Sequence, residues 1–415
     1  MSGVKPTASS YAWTVVALLW PVALLNYLDR QMLASMKFSV MHDIPSIGSE
    51  AHWGDLLAAF KWVYAALSPF GGYIADRFSR RAVISGSLFV WSAVTFMTGQ
   101  AHTFDQLLCT RALMGISEAF YIPGALALIA EFHSGTTRSR AVGLHQTAIH
   151  IGVMVGGFSG YVADEPNLGW RFAFQACGLA GLIYAIPLLL LLRNPERPGD
   201  ATSHKPATPF LGFRELLSNG SFLLLVLYFT LPALAGWIVK DWMPAILKQR
   251  FGIGQGKAGV SATLYVNIAT VFGGLAGGWL ADRWMRRSER GRIFVSALGV
   301  SLLVPALLGV GMAQSLGIAV AFLVLFGLGW GSFDANNMPI LCQIARPHLR
   351  ATGYGIMNLV SISCGGFADR AFGVLRDHHV PLPAIFGVFA GAAAVGVLLV
   401  LCIRPRVTED KPSIC

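Results

Sequence analysis

The segment GGYIADRFSRR, residues 71–81, returns as GGWLADRWMRR at residues 277–287, and RAVG at 140–143 has an echo in RATG at 350–353. The two copies are offset by 206 and 210 residues (277 against 71, 350 against 140). A repeat of that length in a chain of 415 residues divides it into two halves of similar construction. What each half is made of follows from the residues on either side of these motifs.

The chain is 54% hydrophobic and only 13% charged, with 46 glycines. Too little polar surface exists to cover a soluble globule of this size, so the composition implies an integral membrane protein. Crossing a hydrocarbon core of about 30 Å takes roughly 20 apolar residues. Twelve segments fit: 11–36, 54–76, 80–100, 105–132, 138–163, 170–193, 219–248, 255–283, 291–312, 315–345, 350–376 and 383–404. The expected fold class is all-α, a polytopic membrane protein with six spans on each side of the repeat. The first span is too long for the apolar core of a cleaved signal peptide, and no small-residue cleavage site follows it. The six cysteines are scattered, without C-x-x-C or Cys/His spacing, so no metal is implied.

The net charge of +10 would suggest nucleic acid in a soluble protein, but the distribution of the charges excludes that reading. Arg77, Arg80 and Arg81 follow the second span, Arg138 and Arg140 the fourth, and Arg193, Arg197, Lys205 and Arg214 the sixth. Arg283, Arg286, Arg287, Arg290 and Arg292 follow the eighth, and Arg346 and Arg350 the tenth. The alternate loops carry His42, Asp43, Glu50, Asp55, Asp105, Asp164 and Glu165, with few lysines or arginines apart from the loop after the seventh span. Basic loops face the cytoplasm, which places both termini there and agrees with an even number of spans in a cell's inner (plasma) membrane. Between the halves, RNPERPGDATSHKPATP (193–209) is polar and proline-rich, a linker by composition. The expected domains are an N-terminal bundle over 1–192, a cytoplasmic linker over 193–216 and a C-terminal bundle over 217–415.

A twelve-span chain with Gly-x-x-x-Asp-Arg-x-x-Arg-Arg after spans 2 and 8 resembles the major facilitator superfamily of secondary transporters. The resemblance covers essentially the whole chain. It implies alternating access, with two bundles rocking around a site near the bilayer midplane. Asp76, Arg77, Asp282 and Arg283 would then be gating residues, each aspartate offered to the positive N-terminus of a neighbouring helix.

Charged groups inside a span cost about 2.5–3.5 kcal/mol each on insertion scales and ordinarily face a cavity or a partner. NYLDR (26–30) ends the first span. Asn26 and Arg30, four apart, share a face, whereas Asp29 is turned about 100° from Arg30. The two charges therefore serve different neighbours. In the fourth span Arg111 and Glu118 are seven residues apart, on one face and about 10 Å distant along the axis, room for a ligand or a switching ion pair. NYLDR, AFKWVYAALSPFGGYIADR (59–77), RALMGISEAFYIPG (111–124) and YGIMNL (354–359) resemble the anion:cation symporter branch, the sugar-acid and sialic-acid type carriers. That resemblance implies an anion anchor at Arg30, pocket rings at Tyr27 and Tyr64, protonation at Asp29 and Glu118, a carboxylate partner for Arg111, and hydroxyl contacts from Asn358.

Several residues depart from that branch. Lys61, three before Tyr64, adds a cation that would favour an anionic ligand, with a snorkelling lysine as the alternative. His145, Gln146 and His150 stand where hydroxyl and amide residues are more usual; His145 and Gln146 are candidate substrate contacts, and His150 reads equally as a packing residue. The C-terminal half adds Trp237, Lys240, Asp241, Asp334, Asn336 and Asn337, of which Trp237 offers a ring to a sugar, with a tryptophan at the membrane interface as the stronger alternative, and Asn336 and Asn337 offer amides to its hydroxyls. The expected function is proton-coupled import of a small organic anion such as a hexonate, hexuronate or sialic acid. No cofactor is implied beyond the coupling ion, H+ or alternatively Na+. The expected partners are the anionic substrate and the lipid bilayer, with the chain a monomer. No HExxH, GxSxG or Walker loop sits in a fitting context, so no enzyme is expected. FVWSAVTF (89–96) and SEAFY (117–121) also resemble the spinster-like lysolipid carriers, which form the alternative.

Overall fold

The structure, a computed structural model, describes residues 8–133, 137–194, 214–346 and 349–405, without the side chains of 8–10, 69 and 71–77. The side chains of Asp76 and Arg77, and most of the linker, lie outside the described residues. The described residues fold into helices, the arrangement that satisfies every backbone group of an open-ended chain within lipid.

The first expected span is α1 (Ala8–Ser35), followed by a short α2 (Lys37–Asp43) that the apolar pattern does not announce. Next come α3 (Glu50–Arg77), α4 (Arg80–Thr98), α5 (Phe104–Glu118), α6 (Tyr121–Phe132), α7 (Arg138–Gly157), α8 (Ser159–Asp164) and α9 (Gly169–Leu191). The second half supplies α10 (Gly220–Phe251), α11 (Gln255–Met285), α12 (Gly291–Met312), α13 (Leu316–Ile344), α14 (Arg350–Asp377) and α15 (Leu382–Cys402). Every expected span coincides with a helix or a pair of helices. The fourth is broken after Glu118 because Pro123 lacks an N–H and its ring conflicts with the carbonyl of residue 119. The fifth is interrupted at Phe158, directly after the Gly156–Gly157 pair.

Among the described residues nine helical stretches are long and apolar enough to cross a membrane, counting 104–132 as one. The remaining long rods, α3, α7 with α8, and α14, are more polar because they carry Lys61, His145 with Gln146 and His150, and Asp369 with Arg370. Side-chain hydroxyls start several helices in the ordinary way. Ser79 accepts from the Ala82 N–H, Thr103 from Gln106 and Ser315 from Ile318.

The chain forms two compact units. One comprises residues 1–48, 55–202 and 244–260; the other comprises 49–54, 203–243 and 261–415. In the first unit Val15, Leu19 and Val22 of α1 pack with Leu88 and Trp91 of α4, Tyr121 and Leu128 of α6, Ala148 of α7 and Leu188 of α9. Lipid tails are as apolar as leucine, so close packing rather than escape from water holds such helices together. A Cβ on Gly152 of α7 would lie 2.4 Å from the Leu24 carbonyl oxygen of α1, so that crossing exists only because the residue is glycine.

Each unit also contains a helix N-terminus held by a distant carboxylate. In the first, Asp164 accepts from the Gly256 N–H at 3.2 Å and from Gln255 Nε2 at 2.9 Å, at the start of α11. Gln255 Oε1 in turn accepts from the backbone N–H groups of Phe38 and Ser39, so the buried amide is used on both ends. In the second, Asp377 accepts from the N–H groups of Glu50 and Ala51 at 2.9 Å each, at the start of α3. Both carboxylates meet the positive end of a helix dipole and its unpaired donors.

Candidate functional site: a buried charge cluster in the first unit

Four charged side chains meet inside the first unit, two from α1 and two from α5. Arg30 Nε donates to Glu118 Oε2 at 2.6 Å, with side-chain exposures of 10% and 0%. Arg111 Nη1 lies 4.0 Å from Asp29 Oδ1, and both side chains are buried. The pairs are crossed: each α1 charge is matched by an α5 charge of opposite sign. Asp29 and Arg30 thus point to different partners, as the helical period requires for adjacent residues.

Aromatic rings wall the cations. The Arg30 guanidinium carbon lies 4.8 Å from the Tyr27 ring centroid, 4.7 Å from Phe60 and 5.0 Å from Tyr64. Phe60 also faces Arg111 at 5.2 Å, and Phe60 and Tyr64, one helical turn apart on α3, stack at 5.7 Å. Ring faces attract a guanidinium by about 0.5–2 kcal/mol and displace water from it. Gly115 lets α5 approach this wall, since a Cβ there would lie 2.8 Å from the Phe60 carbonyl oxygen. On α4, Thr95 donates to Asp29 Oδ2 in a short hydrogen bond. Asn26 is fully buried on the Arg30 face of α1.

Other expected site residues fall elsewhere. Lys61 is buried at 3% exposure inside α3 rather than extended to a surface. His145 is buried at 0% and sits 3.0 Å from Tyr121 Oη, which also reaches the Leu19 carbonyl at 3.0 Å; its place is the α1–α6–α7 core. Gln146 is exposed and His150 partly buried. In the second unit, Asn336 returns a bond to the Ser332 carbonyl of its own helix at 2.9 Å, Asn337 is 1% exposed and Asn358 is partly buried. Trp237 packs edge-on over Gly365 of α14 and carries Lys240 Nζ 5.4 Å above its ring. Asp282 accepts from Arg292, in the first turn of α12, at 3.2 Å, and Arg283 lies over Trp279 at 5.9 Å.

Three residues of interest were not anticipated. Phe60 is one position before Lys61, and its i, i+4 spacing to Tyr64 was the available signal. Thr95 lies within the WSAVTF stretch as an ordinary-looking hydroxyl. Asp369 is 0% exposed on α14 and accepts from Trp242 Nε1 at 3.2 Å; an acid inside a span should have been flagged on cost alone. Outside the membrane-spanning segments, Asp43 accepts from Arg171 Nη1 at 2.6 Å and Trp170 Nε1 at 2.9 Å. Partial burial opposes its charge, but the hydrogen bonds from His42, Trp170 and Arg171 hold its carboxyl below the usual range.

A helical bundle with paired ions buried among its spans, in a duplicated chain, is the architecture of a membrane transporter rather than an enzyme. Residues 19–368 match the Major Facilitator Superfamily, and the chain belongs to it. It is 28% identical to an MFS-type efflux pump of Mycolicibacterium smegmatis over 88% of this chain and 85% of that protein. Against protein spinster of Drosophila melanogaster it is 27% identical over 85% of this chain but only 60% of the relative's length. It is 24% identical to a probable L-galactonate transporter of Escherichia coli over 96% of this chain and 90% of the other. The fold matches a bacterial homologue of the human lysosomal transporter spinster, in an inward-facing and unoccupied conformation, with a TM-score of 0.77 and 22% identity over 96% and 95% of the two chains.

Proposed function

We propose that the protein imports a small organic anion of the sugar-acid type together with protons, by alternating access, with Arg30 as the carboxylate anchor. The observation that carries this reading is the Arg30–Glu118 pair at 2.6 Å inside its cage of Tyr27, Phe60 and Tyr64. With both carboxyls ionised the cluster is neutral, two cations against two carboxylates. A substrate carboxylate taking Arg30 would leave one uncompensated negative charge in a buried site, a state that costs several kcal/mol. Protonation of Glu118 removes that charge and frees the guanidinium for a bidentate bond to the substrate. Asp29 holds the second proton-accepting position, beside Arg111. The relation to the probable L-galactonate transporter supports a sugar acid. In this reading the chain is a monomer in the inner membrane with both termini cytoplasmic.

Proteoliposome uptake of hexonates, hexuronates and sialic acid, with and without an inward proton gradient, tests the proposal. Gradient-driven uptake lost in Arg30→Lys, where charge is kept but the planar fork is not, is the expected result. Uptake indifferent to the proton gradient would sink the coupling, and dependence on a sodium gradient would replace the ion. A second reading, movement of a lysolipid or similar amphiphile, is favoured by the spinster relative. The discriminating measurement is a thermal-shift panel of sugar acids against lysophospholipids, in which only the true substrate class raises the melting temperature.

A further inference from the structure

Thr95 lies at 1% exposure on α4, with its hydroxyl oxygen at two acceptors: Asp29 Oδ2, in the short contact noted above, and the Trp91 carbonyl one turn back at 2.9 Å. A hydroxyl has one proton to donate and two lone pairs with which to accept. It cannot serve both oxygens as donor at once, and the question is what decides between them.

We propose that Thr95 is a positioning residue for a proton carried by Asp29, its hydroxyl reversing direction as that carboxylate gains or loses the proton. With Asp29 ionised, the Thr95 O–H donates to Oδ2. With Asp29 protonated, the carboxyl O–H donates to Thr95 Oγ1, and the threonine's own proton turns to the Trp91 carbonyl. One proton has entered, on the carboxyl group; the hydroxyl keeps its own throughout, and no heavy atom needs to move. Asp29 therefore keeps a hydrogen bond to Thr95 in either state. An unpaired buried polar group costs about 1–3 kcal/mol, so a rotor that avoids it lowers the barrier between the two states.

The surroundings favour such a device. Asp29 is 1% exposed, and among the described residues the charged and titratable groups that act on it are Arg30 of α1, Arg111 and Glu118 of α5, and the Cys177 thiol of α9. From α7, which packs on α1 at Gly152, His145 is engaged with the Tyr121 hydroxyl of α6. Arg111 Nη1 at 4.0 Å from Oδ1 is beyond direct hydrogen bonding, so Thr95 is the short-range partner of this carboxylate.

The inference rests on the reading above that Asp29 takes a proton, and the test separates the two. The full chain, reconstituted in lipid vesicles, is titrated by infrared difference spectroscopy, and the protonated-carboxyl band of Asp29 is identified by its loss in Asp29→Asn. In Thr95→Val the band should move to higher wavenumber, because the carboxyl O–H has lost its acceptor. It should also persist to a pH about one unit higher, because the ionised form loses the stronger hydrogen bond. Thr95→Ser should restore both. Thr95→Ala gives the same reading if the valine variant fails to fold, and a mere packing role would lower the melting temperature without moving the band. An Asp29 band that Thr95→Val and Thr95→Ala leave unmoved overturns the role of Thr95 alone. Absence of any Asp29-dependent band at every pH overturns proton uptake by Asp29, and the Thr95 role with it.

Discussion

The two units solve the same problem, buried polarity in a membrane, with different chemistry. In the first, Asp29, Arg30, Arg111 and Glu118 hold one another in crossed ion pairs among aromatic rings. In the second, the deeply buried Asp369 accepts from the Trp242 indole N–H, while of the buried amides Asn336 bonds within its own helix and Asn337 is closed in at 1% exposure. Duplication preserved the scaffold, including a carboxylate at a helix start in each unit, while the ion-paired cluster described above belongs to one copy. A neutral amide can wait for a ligand at modest cost. A buried charge must always be answered, which is why the ion-paired cluster of Asp29, Arg30, Arg111 and Glu118 is suited to exchange one counter-ion for another.

The comparison can be broken most forcefully at Glu118. Glu118→Leu leaves Arg30 buried without its carboxylate and should cost about 3–5 kcal/mol, read as a fall in the melting temperature of the purified protein; a change below about 1 kcal/mol would mean the pair is dispensable. In the second unit Asp369→Ala takes this acceptor from the buried Trp242 indole N–H and should cost about 2 kcal/mol by the same measurement. Asp377→Ala removes the cap on α3 and should cost about 1 kcal/mol. At Asn337, where neither amide atom has a hydrogen-bond partner among the described residues, replacement by leucine should be neutral or slightly stabilising; if the site binds substrate, transport falls although stability does not. A small, pH-dependent effect is expected at Asp43. Its carboxyl is held below the usual range, so its contribution is complete above about pH 4 and is lost as pH falls further. As part of an exposed ion pair it amounts to less than about 1 kcal/mol, and Asp43→Asn should flatten the acid end of the stability profile by no more than that.

Much of this was legible in the chain alone. The repeat at 71–81 and 277–287, the apolar lengths and the alternation of arginine-rich loops are local or periodic properties, set by the thickness of a bilayer and the pitch of a helix. The divergence of Asp29 from Arg30 follows from the same pitch. The break after Glu118 was readable from Pro123 but was missed, because a proline near the middle of a long apolar run is easily absorbed into it. Lys61 and His150 were ambiguous, and His145 was expected at the substrate rather than in the α1–α6–α7 core, because a sequence gives the face a residue occupies but not what covers that face.

What the sequence determined by itself is therefore the class of protein, the placing of its helices along the chain, and the short list of charges that a membrane would tolerate only for a purpose. Only the tertiary structure decided who answers whom: that Arg30 takes Glu118, that Arg111 faces Asp29 at 4.0 Å, that Phe60 stands between the two cations, and that Thr95 reaches across from α4 to the carboxylate of α1. These are contacts between residues 30 (Phe60 against Arg30) to 88 (Glu118 against Arg30) positions apart in sequence. Their geometry depends on how closely the backbones approach, which is set by glycines such as Gly115 and Gly152 and by packing density, quantities that no periodicity along one helix contains.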